Sequence, residues 1–242
     1  MTPRQSPSSG TAAPAPSPDP TSPVYRDAYS RINGVVVVGE GLADRHFRLL
    51  ARAIPEDGAE LLRLGAMEGR HARDFIGCGA NLGVRPDAAL AKQLFAPLHA
   101  LFQECDSAGD LAGCLVIQCL IVECFAVAAY RAYLPVADAY AQPITAAVLA
   151  DEAEHLNYGE QWLQARFAEV GDAVAAICRR GLPVTLRILQ AVAADMRAIG
   201  MDPADLVGSF CELFEQSLAT IGFSATEARR LVFRSVATVP LG

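Results

Sequence analysis

The sequence predicts an all-α protein, a four-helix bundle followed by additional C-terminal helices. Three observations predict it. Apolar residues recur at helical spacing through long stretches interrupted only by short Pro, Gly and Asp signals, and no alternating strand pattern competes with them. Two Glu-x-x-His pairs also stand where two helical hairpins would bring them together.

The elements follow in order. Residues 1–23 hold seven prolines and five serines, a composition that cannot bury enough apolar surface to fold, so they read as a solvated tail ahead of one domain spanning 24–242. The first helix is expected over 25–53; its run Val35 to Val38 is β-branched, but no turn residues flank it closely, so it stays helical. Ile54-Pro55-Glu56-Asp57-Gly58 breaks the chain, and a second helix is expected over 56–82, a third over 87–107 and a fourth over 111–133. Leu134-Pro135-Val136-Ala137-Asp138 then turns the chain into a fifth helix over 143–170, with a sixth over 172–199. Asp202 as N-cap and Pro203 at the first helical position open a seventh over 203–221, and an eighth closes the chain over 225–236.

Composition excludes several function classes. Twenty basic against 27 acidic residues give a net charge of −7, which argues against nucleic acid or an anionic membrane surface as partner. Seven cysteines without a C-x-x-C pair fit neither a disulfide framework nor a zinc knuckle, and point to the reducing cytoplasm. No basic start followed by an apolar core marks a secretory signal. The most apolar run, Cys114 to Tyr130, contains Gln118 and Glu123 and is short for a membrane span, so a buried helix is expected.

The chemistry lies in the acids and histidines. Glu152 and His155 at i and i+3 share one helix face and can reach one ion, and Glu68 with His71 repeats the spacing, so two of the four histidines sit in such pairs. A carboxylate-bridged dimetal site also needs a Glu from each of two other helices. Glu40 and Glu123 are lone acids in apolar surroundings, where an ionised carboxylate needs a cation. Glu40 and Glu68 are equidistant from residue 54, in the first break; Glu123 and Glu152 are equidistant from the Ala137–Asp138 junction, in the second. Two hairpins would thus each present Glu plus Glu-x-x-His at one height, a donor set that suits two iron or manganese ions rather than zinc. His46 and His99 have alanine at i−3 (Ala43, Ala96) and read as surface or satisfied core residues; Cys114, Cys119 and Cys124 read as small buried fillers.

At these residues the chain resembles the cyanobacterial aldehyde-deformylating oxygenases, also called aldehyde decarbonylases, a ferritin-like di-iron family. The resemblance rests on Tyr25-Arg26-Asp27-Ala28-Tyr29-Ser30-Arg31-Ile32-Asn33, on Met67-Glu68 with Arg70-His71, on Cys78-Gly79 with Asn81-Leu82-Gly83-Val84, on Phe95-Ala96-Pro97-Leu98, and on Asp151-Glu152 with His155-Leu156-Asn157-Tyr158-Gly159-Glu160. It implies an oxygenase that takes a long-chain fatty aldehyde, dioxygen and four electrons, and releases the alkane one carbon shorter together with formate. It also implies two iron ions held by Glu40, Glu68, His71, Glu123, Glu152 and His155, and places Tyr130, Gln118, Asn157 and Phe95 near the substrate or the ligands. Reduced ferredoxin as electron donor and an acyl-ACP reductase (acyl-carrier-protein reductase) as aldehyde source are further implications. Two departures stand out: Leu94-Phe95 where the family often has two phenylalanines, which bears on the channel, and Ala153-Glu154 inside the second motif, whose added acid is expected to face solvent. Gly159 weakens its helix by about 1 kcal/mol relative to alanine, so this segment is expected to loosen when metal leaves.

Overall fold

A computed structural model describes residues 18–236, all helices and turns among the described residues. The expected tail lies outside them up to residue 17; residues 18–22 form a turn in which Asp19 accepts from Thr21 N at 2.9 Å. That turn leads into α1 (Pro23–Ala53), where the Ser22 hydroxyl accepts from Tyr25 N at 3.2 Å and Pro23 occupies the first turn. Ile54, preceding Pro55, ends α1, and a 3₁₀ turn over Pro55–Asp57 reverses the chain into α2 (Gly58–Asn81). Gly83, at φ +63, then turns it towards α3 (Ala88–Ala108), which Asp87 caps by accepting from Leu90 N at 3.0 Å.

The fourth expected helix is one continuous rod with an irregular centre: α4 (Leu111–Leu115), a π-helical stretch over Val116–Val122, and α5 (Glu123–Tyr133). The rod with its following turn, Leu111–Val136, is 26 residues long and apolar enough to cross a membrane, more than the short run expected from sequence, but 83% of its apolar window is buried inside the protein. It is the core helix of the bundle. A turn through residues 134–140 leads to α6 (Ala141–Ala165). Helices α1, α2 and α6 and the π-containing rod make the four-helix bundle, with α3 flanking α1.

After the bundle come α7 (Phe167–Ala191), the short α8 (Ala193–Ala198), α9 (Pro203–Ile221) and α10 (Ala225–Val236). The break expected near residue 171 instead falls at Arg166, whose backbone leaves helical geometry at φ −119 and ψ 10. Gly171 costs a helix only about 1 kcal/mol and does not stop it. Phe167, at the start of α7, meets Phe223 edge-on at 4.8 Å, and the Arg166 guanidinium lies 4.1 Å over the Trp162 ring; these contacts fix the corner. The expected sixth helix is likewise divided at Val192.

Close approach sets the bundle's geometry at Gly159. A Cβ there would lie 2.2 Å from the Cβ of Cys119, so α6 and the π-containing rod come together where neither could tolerate a larger residue on α6. Cys114, Cys119 and Cys124 are all fully enclosed, as fillers should be.

Candidate metal centre

All six residues singled out by spacing converge inside the bundle. Glu40 comes from α1, Glu68 and His71 from α2, Glu123 from the start of α5, and Glu152 and His155 from α6; none is more than 5% exposed. They form two overlapping groups whose ligand atoms lie within 4.8 Å of one another: Glu40, Glu68, His71 and Glu152, and Glu68, Glu123, Glu152 and His155. Glu68 and Glu152 belong to both. His71 Nδ1 stands 3.5 Å from Glu40, 3.4 Å from Glu68 and 3.5 Å from Glu152. His155 Nδ1 stands 2.9 Å from Glu152, 3.1 Å from Glu68 and 3.5 Å from Glu123.

The protons at this centre are ill-matched to the charges. Burial pushes Glu40, Glu68 and Glu152 well above the usual carboxylate range, and repulsion among the acids adds to it. Burial also raises Glu123, but His155, with Glu152 and Gln118, more than offsets this and holds Glu123 below its ordinary value. Burial lowers His155, yet Glu123, Glu152 and Glu68 lift it to about 12. Without metal, protons held by Glu40, Glu68 and Glu152 take the place of cations, and the His155 imidazolium is left to face Glu123. Two divalent cations would balance four carboxylates, and the buried atoms without a hydrogen-bond partner include Glu68 Oε1, Glu152 Oε1 and His71 Nδ1, all turned into this space. The residues present therefore fit a pair of metal ions.

Outer contacts hold the ligands. The Tyr130 hydroxyl donates to Glu40 Oε1. Asp151 Oδ2 lies 3.1 Å from His71 Nε2, the ring nitrogen turned away from the carboxylates, in the arrangement that fixes a metal-ligating imidazole. Sequence reasoning missed Asp151's role: it belongs to α6 and acts on a histidine of α2, a pairing no periodicity reveals. Gln118 Nε2 donates to Glu123 Oε1 at 2.8 Å. In an α-helix residues five apart face different ways; the π-helical stretch, with its i→i+5 bonds, is what stacks Gln118 over Glu123.

A narrow apolar cavity opens beside these six residues. Glu40, Glu68, Glu123 and Glu152 form its polar wall; Val35, Val36, Phe125, Ala126 and Ala129 line its sides, and Leu189, Val192, Met196, Met201 and Leu206 close it from the C-terminal helices. Phe95 and Tyr130 line it as well, and a second apolar pocket shares Ile32, Val36, Ala129, Tyr130 and Met201 with it. Of the four residues expected near substrate or ligands, Phe95 and Tyr130 are thus in the cavity wall and Gln118 is behind a ligand. Asn157 departs from the expectation: it is exposed, lines a polar surface hollow with Asp57 and Gln161, and accepts from Gln161 at 3.1 Å, because position 157 falls on the face of α6 opposite the cavity. Glu154 faces solvent as expected and pairs with Arg63 at 2.6 Å.

The sequence pattern of the long-chain fatty aldehyde decarbonylase family matches residues 22–237. The chain belongs to this family. A solved structure described as Protein 19 with aldehyde deformylating oxidase activity, from Synechococcus, is 63% identical, with 89% of this chain and 99% of that one aligned at a TM-score of 0.89. As a member of the long-chain fatty aldehyde decarbonylase family with the ferritin-like fold, the protein is an enzyme of the aldehyde-to-alkane reaction, and its buried Glu and His groups are compatible with a di-iron site.

Proposed function

We propose that the protein binds two iron ions, with manganese as the alternative, and uses dioxygen and external electrons to convert a long-chain fatty aldehyde into the alkane one carbon shorter plus formate. The observation that carries this reading is the sharing of Glu68 and Glu152 between two ligand groups at the polar wall of an apolar cavity. Glu40 and His71 would complete one ion's set, Glu123 and His155 the other's, with donors that suit iron or manganese. Bound metal would supply electron transfer to dioxygen and Lewis acidity towards the aldehyde carbonyl.

The chain's own residues do the remaining work. The cavity accepts the hydrocarbon tail and excludes water, and because its polar edge is the carboxylate wall with the Tyr130 hydroxyl bound to it, the aldehyde head is directed there. Phe95 packs against Gly39 in the cavity wall, and Tyr130 holds the Glu40 carboxylate in one orientation. Atom balance requires three protons and four electrons for each aldehyde and dioxygen consumed, with water as the third product. The family resemblance supports reduced ferredoxin as electron donor and an acyl-ACP reductase as aldehyde supplier; free, largely buried cysteines accord with the cytoplasm.

Iron-loaded protein incubated with octadecanal, dioxygen and a reducing system is expected to give heptadecane and formate by mass spectrometry, and neither without dioxygen. Absence of both products with two irons bound would overturn the proposal.

A further inference from the structure

The reading of Glu123 as a metal ligand leaves unexplained a set of polar groups behind it. Gln118 and His46, 0% and 2% exposed, sit among apolar side chains, and neither touches the cavity. Each burial costs free energy unless every polar atom finds a partner. Here they find one another. His46 Nδ1 lies 2.7 Å from Gln118 Oε1, and His46 Nε2 lies 3.0 Å from Nδ1 of His99, which is partly exposed. Stacking at 3.7 Å and 5° on Phe102 fixes the plane of the His46 ring.

Hydrogen-bond chemistry gives this chain one polarity. The Glu123 carboxylate only accepts, so Gln118 must present its NH₂ there and its Oε1 to His46. His46 must then carry its proton on Nδ1, leaving Nε2 to accept from His99 Nδ1–H. Burial, first, lowers His46 to about 3, so the ring is neutral and this single tautomer is available. A glutamine amide alone can turn over; one clamped by a fixed imidazole cannot.

We propose that His46 is a positioning residue for the metal centre: by clamping Gln118 it fixes the orientation of Glu123 and so sets the affinity of the ion on the Glu123–His155 side. The proposal rests on the di-iron reading. Glu40 and His71 have their own supports, Tyr130 and Asp151, so the ion on their side does not depend on this chain.

The test is anaerobic calorimetric titration of the full-length apoprotein with ferrous iron. Wild type is expected to bind two ions. His46→Phe keeps the stacking on Phe102 but has no donor; it is expected to bind one ion as wild type does and the other about tenfold more weakly, with kcat reduced and the KM for aldehyde unchanged. His46→Asn restores an N–H one bond beyond Cγ, where Nδ1 stood, and is expected to recover most of the second site. Thermal melts of the apoproteins separate this from misfolding, because a merely structural role would lower the melting temperature without splitting the two affinities. A wild type that binds no pair of ions would overturn the di-iron reading itself. Two wild-type affinities in His46→Phe, equal weakening at both sites, or no recovery in His46→Asn would overturn the positioning role alone.

Discussion

Replacing Asp151 by alanine tests whether the centre is built as two separately supported halves. Asp151 reaches one ligand: its Oδ2 is 3.1 Å from His71 Nε2, while His155 Nε2 is buried without a partner. Removing such a support costs 10- to 100-fold in metal affinity, roughly. The Asp151 side chain is 41% exposed, so water can take its place, and the loss should fall at the lower end: about tenfold, or about 1.4 kcal/mol. That loss belongs to the ion held by His71, whereas the ion held by His155 should keep its affinity. Asp151→Asn, which retains an acceptor oxygen, should lose less. Anaerobic titration with ferrous iron, fitted to two sites, reads both affinities at once. Equal weakening of both ions, or of neither, would refute the reasoning.

Gly159→Ala places a Cβ within 2.2 Å of Cys119 Cβ, so overpacking outweighs alanine's helix preference and should lower stability by about 1–3 kcal/mol in urea melts, with Cys119→Gly relieving part of it. In metal-free protein Glu40, Glu68, Glu152 and His155 hold protons more tightly than in the unfolded chain, and within this cluster Glu123, held below its ordinary value, opposes them. That contribution to stability is present below the unfolded carboxylate range and is lost as pH rises through the folded values, while bound metal displaces the protons, so the stability difference between metal-loaded and metal-free protein should grow with pH; a difference that shrinks would contradict the site's electrostatics. Val192→Phe narrows the cavity from the C-terminal side and should lower kcat/KM for octadecanal roughly tenfold while sparing shorter aldehydes, read from the alkanes produced; uniform loss across chain lengths would count against the cavity as the tail's site.

The convergence of these six acids and histidines was legible in the sequence because its constraints are local or symmetric: an i, i+3 spacing places Glu and His on one helix face, and equal distances from a turn place two residues at one height. Their supports were legible only in part. Gln118 and Tyr130 were placed near these residues by the family resemblance alone, because the bond from Gln118 to Glu123 needs a π-helical stretch that apolar periodicity conceals; Asp151 and His46, which meet residues of other helices, were not found. The corner at Arg166 depends on the Phe167–Phe223 contact, which is tertiary, while the break expected five residues later falls within the helix. Gly159, readable only as a weak point in its helix, proves to be where α6 meets Cys119. Apolar residues of α7 to α9 that wall the cavity carry the same pattern as ordinary core.

Anomalous diffraction at the iron edge, from crystals of the iron-loaded protein, addresses the central claim most directly. Two peaks are predicted, one bounded by Glu40, Glu68, His71 and Glu152 and the other by Glu68, Glu123, Glu152 and His155. A single peak, or peaks away from these six side chains, would contradict it.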